Sequence, residues 1–167
     1  MDRITHLVIK ISDTHYGLSG TVLRHNLIAL EHGAVWIGKP DHPLASSFIG
    51  YANEQIDQGI ATYLFVIDPD RSNPTAYEAA LQAAISKPPQ EKYLIPPFYK
   101  ELKILHRMKA WFKVGPFHAF NLEQFPILDE LNTRYDLHEL KAIRGGKRTH
   151  RGGFAFDIPE PIIEEIA

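Results

Sequence analysis

The sequence predicts an α+β fold: a curved sheet or small open β-barrel with flanking helices, in a single domain covering residues 1–167. Three observations carry that prediction. Two helical patterns fall within the first 60 residues, while five or six short segments rich in β-branched and aromatic residues are spread along the whole chain. No internal repeat, low-complexity tract or linker divides them. A chain of 167 residues is also long enough to bury one sizeable core.

Each element can be justified in turn. Residues 6–11 (HLVIKI) are apolar and β-branched, which predicts a first strand. After the turn-like SDTHYGLSG, residues 21–32 predict a helix with Leu23, Leu27 and Leu30 on one face and Gly33 as its stop. Residues 34–38 (AVWIG) read as a short buried strand. Asp41 as cap and Pro43 in the first turn then open a second helix, in which Leu44, Phe48, Ala52 and Ile56 keep helical spacing until Gly59. Residues 62–68 (TYLFVID) are nearly continuously apolar, as in a strand covered on both faces. Residues 77–85 fit a helix through Tyr77, Leu81 and Ala84, and a strand through Tyr77, Ala79, Leu81, Ala83 and Ile85. The double proline of YLIPPFYKE predicts a loop. Residues 108–114 (MKAWFKV) alternate as a strand, and GPFHAF extends it or pairs with it. The stretch LEQFPILDELNTRYDLHELKAI carries short helical patterns, and residues 152–158 (GGFAFDI) predict a closing strand before an acidic tail.

Composition excludes several chemistries. Cysteine is absent, so neither a disulfide framework nor a thiolate metal site can form. No apolar run approaches the roughly 20 residues of a membrane span, and the first residues lack a signal-peptide pattern, which predicts a soluble cytoplasmic chain with no membrane partner. Nine histidines are scattered without paired ligand spacing, and no H-E-x-x-H or G-x-S-x-G motif occurs. Neither a catalytic residue nor a metal or cofactor is predicted. The formal net charge of −2 argues against coating long duplex, yet leaves room for one local basic site.

KAIRGGKRTHRGGF, residues 141–154, offers such a site, since it gathers Lys141, Arg144, Lys147, Arg148 and Arg151 around two glycine pairs. A solvated turn would explain the glycines. Five like charges are easier to rationalise beside an anion, and glycine lets backbone amides approach a phosphate closely. The spacing is not that of a Walker loop. Aromatic residues add a second feature: Trp36 precedes Gly38-Lys39 at a strand end, and Phe98-Tyr99 follows the double proline. An aromatic at a strand end facing one on a loop would sandwich a planar base. For Trp36 a core role and a pocket role are both open, whereas core is the ordinary role for Trp111.

These motifs, taken in order, resemble the PUA-like superfamily and within it the YTH and EVE branches that read modified bases. HLVIKIS resembles the YTH opening strand whose lysine, here Lys10, faces the nucleic-acid backbone. AVWIGK is similar to the strand carrying the first cage tryptophan, here Trp36, while TYLFVID, AWFKV and KAIRGG resemble later strands and the basic segment. The resemblance implies a base inserted between aromatic walls, with its edge read by Ser12, Asp13 and the backbone of Ile37. It favours a strand for residues 77–85. The family's second cage tryptophan has no clear counterpart, so Tyr99 or Phe98 takes that place, and Gly145 stands where an acidic residue usually follows the arginine. The expectation is a non-catalytic domain binding RNA or DNA that carries a modified or flipped base. The alternative is an enzyme acting on a nucleotide or phosphorylated small molecule. The oligomeric state is not legible.

Overall fold

One eleven-residue strand organises the sheet. The computed structural model describes residues 5–11, 16–40, 46–68, 74–121, 147–148 and 153–157. Eight strands are seen: β1 (Thr5–Lys10), β2 (Val35–Pro40), β3 (Tyr63–Ile67), β4 (Thr75–Ile85), β5 (Met108–Val114), β6 (His118–Asn121), β7 (Lys147–Arg148) and β8 (Gly153–Asp157). They follow the order β2-β5-β4-β3-β1-β8-β7, with β6 beside β4. β1 and β3 run parallel and the other pairs are antiparallel. With helices α1 (Gly17–His32), α2 (Ser46–Asp57) and the single turn α3 (Phe98–Glu101), this is an α+β architecture on an open, curved sheet.

β4 carries an irregularity at the centre of the sheet. Its first half lies between β3 and β6, and its second half pairs with β5. β5 and β6 follow each other along the same edge of β4. The pairs Ile85–Trp111 and Ala84–Phe112, then Glu78–His118 and Tyr77–Ala119, keep one antiparallel register on both sides of an irregularity between Leu81 and Ala83. The Gly115 amide bridges the gap by donating to the Ala80 carbonyl at 2.9 Å. A bulge of this kind bends a strand and increases its twist. GPFHAF thus extends the path of residues 108–114 and pairs with β4. Strand pairing also decides the ambiguous residues 77–85: the alanine-rich run is a strand, and Ala76, Ala79 and Ala84 are buried.

Two asparagines complete the sheet where a neighbouring strand is missing. Asn53 on α2 accepts from the Ala84 amide (3.0 Å) and donates to the Ala84 carbonyl (2.8 Å), beyond the end of β3. Asn26 on α1 does the same for Phe117, between β5 and β6, at 2.7 and 3.1 Å. A side-chain amide presents one donor and one acceptor, as a strand residue does, so each leaves no orphaned backbone pair.

The main core lies between α1, α2 and one face of the sheet. Leu7 and Ile9 of β1, Leu64 and Val66 of β3, Val35 and Ile37 of β2, and Phe112 and Val114 of β5 meet Leu18, Val22, Ala29 and Ala52 there. β3 is covered on both faces, as its apolar run predicts, and Phe65 on the opposite face meets Phe120 edge-to-face. α1 differs from the sequence expectation in two ways. It starts at Gly17, four residues before Thr21, and the face it buries carries Leu18, Thr21, Val22, His25 and Ala29. Leu23, Leu27 and Leu30 are 59, 64 and 72 % exposed on the opposite face. Gly33 ends the helix at φ 80°, donating its amide to Ala29, as predicted.

A second core covers the other face of β2 and β5. Ala34, Trp36 and Trp111 pack against Leu94, Phe98 and Tyr99 of the segment that connects β4 to β5. YLIPPFYKE is therefore more than a loop: Lys92–Leu94 and Leu105–Arg107 form turns of 3-10 helix on either side of α3. The prolines are compatible with this because Pro97 sits at the helix start, where no amide donor is needed. Among the described residues no helix is long and apolar enough to cross a membrane. The expected caps Asp41 and Pro43, the helical patterns of residues 122–143 and the acidic tail lie outside the described residues.

Candidate functional site

Trp36 has two environments. It is 4 % exposed and belongs to the second core, yet it also lines an open groove of about 650 Å³. Ile49 of α2, Ala84 and Ile85 at the end of β4, and the following residues Ser86 to Glu91 complete the lining. Ile49, Ile85, Pro88 and Pro89 supply apolar surface. Ser86, Lys87, Gln90 and Glu91 bring polar groups to it.

Strand register places Trp36 there. Trp36 of β2 lies opposite Lys113 of β5, and Lys113 lies opposite Ala83 of β4, so the three share one face of the sheet. The indole Nε1–H donates to Glu91 Oε1 at 3.3 Å. The Lys113 ammonium lies 3.2 Å from both Glu91 carboxylate oxygens and 6.0 Å from the Trp36 ring centroid. Glu91 thereby ties the groove-forming loop to two strands, and a part-buried ion pair of this kind orients the indole. Neither Glu91 nor Lys113 stands out in the sequence, because they meet only when the segment after β4 folds onto β5.

Phe98 and Tyr99 are brought to Trp36 in the second core and do not line the groove. Tyr99 is 3 % exposed, and its ring stacks on Phe98 with centroids 4.4 Å apart. Its hydroxyl accepts from the Gly38 amide at 3.0 Å and meets His25 Nε2 at 2.7 Å, while His25 Nδ1 meets the Thr21 carbonyl at 2.7 Å. A carbonyl can only accept, so Nδ1 carries the ring proton and Nε2 accepts from the tyrosine. This buried chain joins α1, α3 and β2 immediately beyond Trp36. A Cβ at Gly38 would lie 2.5 Å from Met108 Sδ, so the methionine side chain would have to shift.

The remaining expected site residues are placed as follows. Ile37 is fully buried opposite Phe112 within the sheet. Lys10 ends β1 opposite Ile67. Lys147 and Arg148 form β7, at the opposite end of the strand order from β2. Six strand spacings of about 4.8 Å separate these two ends, roughly 29 Å along the sheet. Ser12, Asp13, Lys141, Arg144 and Arg151 lie outside the described residues.

The sequence reading missed a second cationic segment. Residues 86–109 contain Lys87, Lys92, Lys100, Lys103, Arg107 and Lys109 against Glu91 and Glu101, a local excess of four positive charges in a chain of net charge −2. Its charges are interspersed with apolar residues, which hides them from a search for basic runs. Among the described residues no group of three or more His, Asp or Glu side chains is arranged to hold a metal ion. Comparison of the chain with family models, curated proteins and solved structures finds no match.

Proposed function

We propose that this protein is a non-catalytic nucleic-acid-binding domain of PUA-like type that takes one modified or flipped base into the groove at Trp36. The observation that carries the reading is the groove itself: about 650 Å³, open, largely apolar, with an indole fixed in its wall by Glu91. That volume lies in the ordinary range for small-molecule sites. A base there would lie against Trp36, Ile49, Ile85 and the Pro88-Pro89 pair, and Ser86 and Gln90 offer donors and acceptors for its edge. Burying a methyl group against such a surface contributes about 0.8 kcal/mol, a modest discrimination. Further support comes from the strands that carry the resemblance, since β1, β2, β3 and β5 all belong to one sheet.

Trp36 and Trp111 are the chain's two tryptophans, so intrinsic fluorescence reports the site directly. Methylated and unmodified nucleosides, and short oligonucleotides containing them, are expected to quench the wild-type signal. Trp36→Phe removes the reporting indole, so its effect is read by anisotropy of a labelled oligonucleotide, where binding should weaken while circular dichroism shows the fold retained. Absence of any response to the whole series would overturn the reading. Mass spectrometry of the recovered ligand should return it unchanged, and a new species would point to the enzyme alternative.

A further inference from the structure

We propose that residues 86–109 form a cationic track that carries the phosphates of single-stranded nucleic acid to the groove; this rests on the reading of that groove as a base site. The segment is a single layer. Leu94, Phe98 and Tyr99 are turned down onto Trp36 and Trp111, with Ile95, Leu102 and Ile104 partly buried beside them. Lys87, Lys92, Lys100 and Lys103 of this layer are exposed, as is Lys109 at the start of β5. Among the described residues no carboxylate pairs with any of the five, in contrast to Lys113, which is held by Glu91. Lys87 is also part of the groove lining, so the segment brings one of these charges to the site itself.

Lys103 provides an independent observation. It ends α3 in the left-handed region, at φ 57°. Its amide donates to the Lys100 carbonyl and the Ile104 amide donates to the Tyr99 carbonyl, each at 3.0 Å, which is the Schellman arrangement. Glycine occupies this position at least cost because a Cβ is strained there. Lys103 therefore places an exposed charge at a position of local backbone strain. The expected phosphate cluster of residues 141–151 contributes β7 at the other end of the strand order, whereas this segment borders the groove. An unpaired strand is the form whose bases can enter such a groove, since bases in a duplex are stacked and paired.

The test is fluorescence anisotropy of the full chain with a labelled 12-nucleotide oligo(U) and its deoxythymidine counterpart, over a range of salt concentrations. The triple variant Lys92→Gln, Lys100→Gln, Lys103→Gln should lower the slope of log affinity against log salt by about 0.7 for each lysine removed. Lys103→Gly should lower that slope and also raise the thermal midpoint by about 2–4 °C, a combination that a merely structural lysine would not give. An unchanged slope in the triple variant would overturn the track, as would a loss found only with Lys147→Gln and Arg148→Gln. Binding to anionic phosphatidylserine vesicles with no binding to either oligonucleotide would also overturn it. Failure of the groove reading has a separate signature: the triple variant changes the slope, but Trp36→Phe leaves oligonucleotide binding untouched.

Discussion

At the scale of single residues, Tyr99 shows how a side chain that resembles a binding aromatic can serve the fold. Its hydroxyl is shared between His25 and the Gly38 amide, and its ring lies between Phe98 and Trp111. Tyr99→Phe keeps the packing and removes the hydroxyl. Two buried polar groups then lose that partner, and we expect a loss of about 1–3 kcal/mol in denaturant unfolding. Base binding should weaken only through displacement of β2. A stability equal to wild type would show that the hydroxyl is not holding that strand. Trp36 differs because one indole serves both core and groove, so Trp36→Ala is expected to cost stability as well as binding, and Trp36→Phe is the cleaner probe.

At the scale of elements, α1 is apolar on two opposite faces. Helical spacing selected Leu23, Leu27 and Leu30, and the same spacing also selects Leu18, Val22, His25 and Ala29. Periodicity identifies a stripe but cannot say which of two stripes meets the sheet. Position decided it, since Asn26 and His25 must reach Phe117 and Tyr99. Leu18→Ala should therefore cost about 2–5 kcal/mol. Leu27→Lys should stay within about 0.5 kcal/mol of wild type in the same denaturant titration. Reversed magnitudes would mean that the helix is rotated. Residues 86–109 teach a related lesson. Double prolines correctly mark irregular chain, but irregular chain can still pack, and here it covers one face of β2 and β5.

At the scale of the whole molecule, the first and last described strands pair. β1 lies between β3 and β8, so residues 5–10 are bonded to residues 153–157. Contacts this distant in sequence form late and slow folding. Ala155 lies opposite Leu7 on one side and Lys147 on the other, an interior position where proline removes a ladder bond. Ala155→Pro is expected to lower stability by at least about 1–3 kcal/mol and to promote aggregation through the released edge of β1. A silent substitution would show that β8 contributes little to the sheet.

The sequence by itself determined the α+β class, the positions of β1, β2, β3, β5 and β8, and the stop at Gly33. These follow from local rules: β-branched runs and glycine at a left-handed position. Tertiary structure alone decided that residues 77–85 are a strand and that β4 pairs with three neighbours. It also decided that Tyr99 is buried while the leucines of α1 are exposed, and that Glu91 and Lys113 hold the indole at a groove. Each depends on partners dozens of residues away in the chain. Strand register and the burial of one face among several apolar candidates are properties of the assembled sheet, and no window along the sequence contains them.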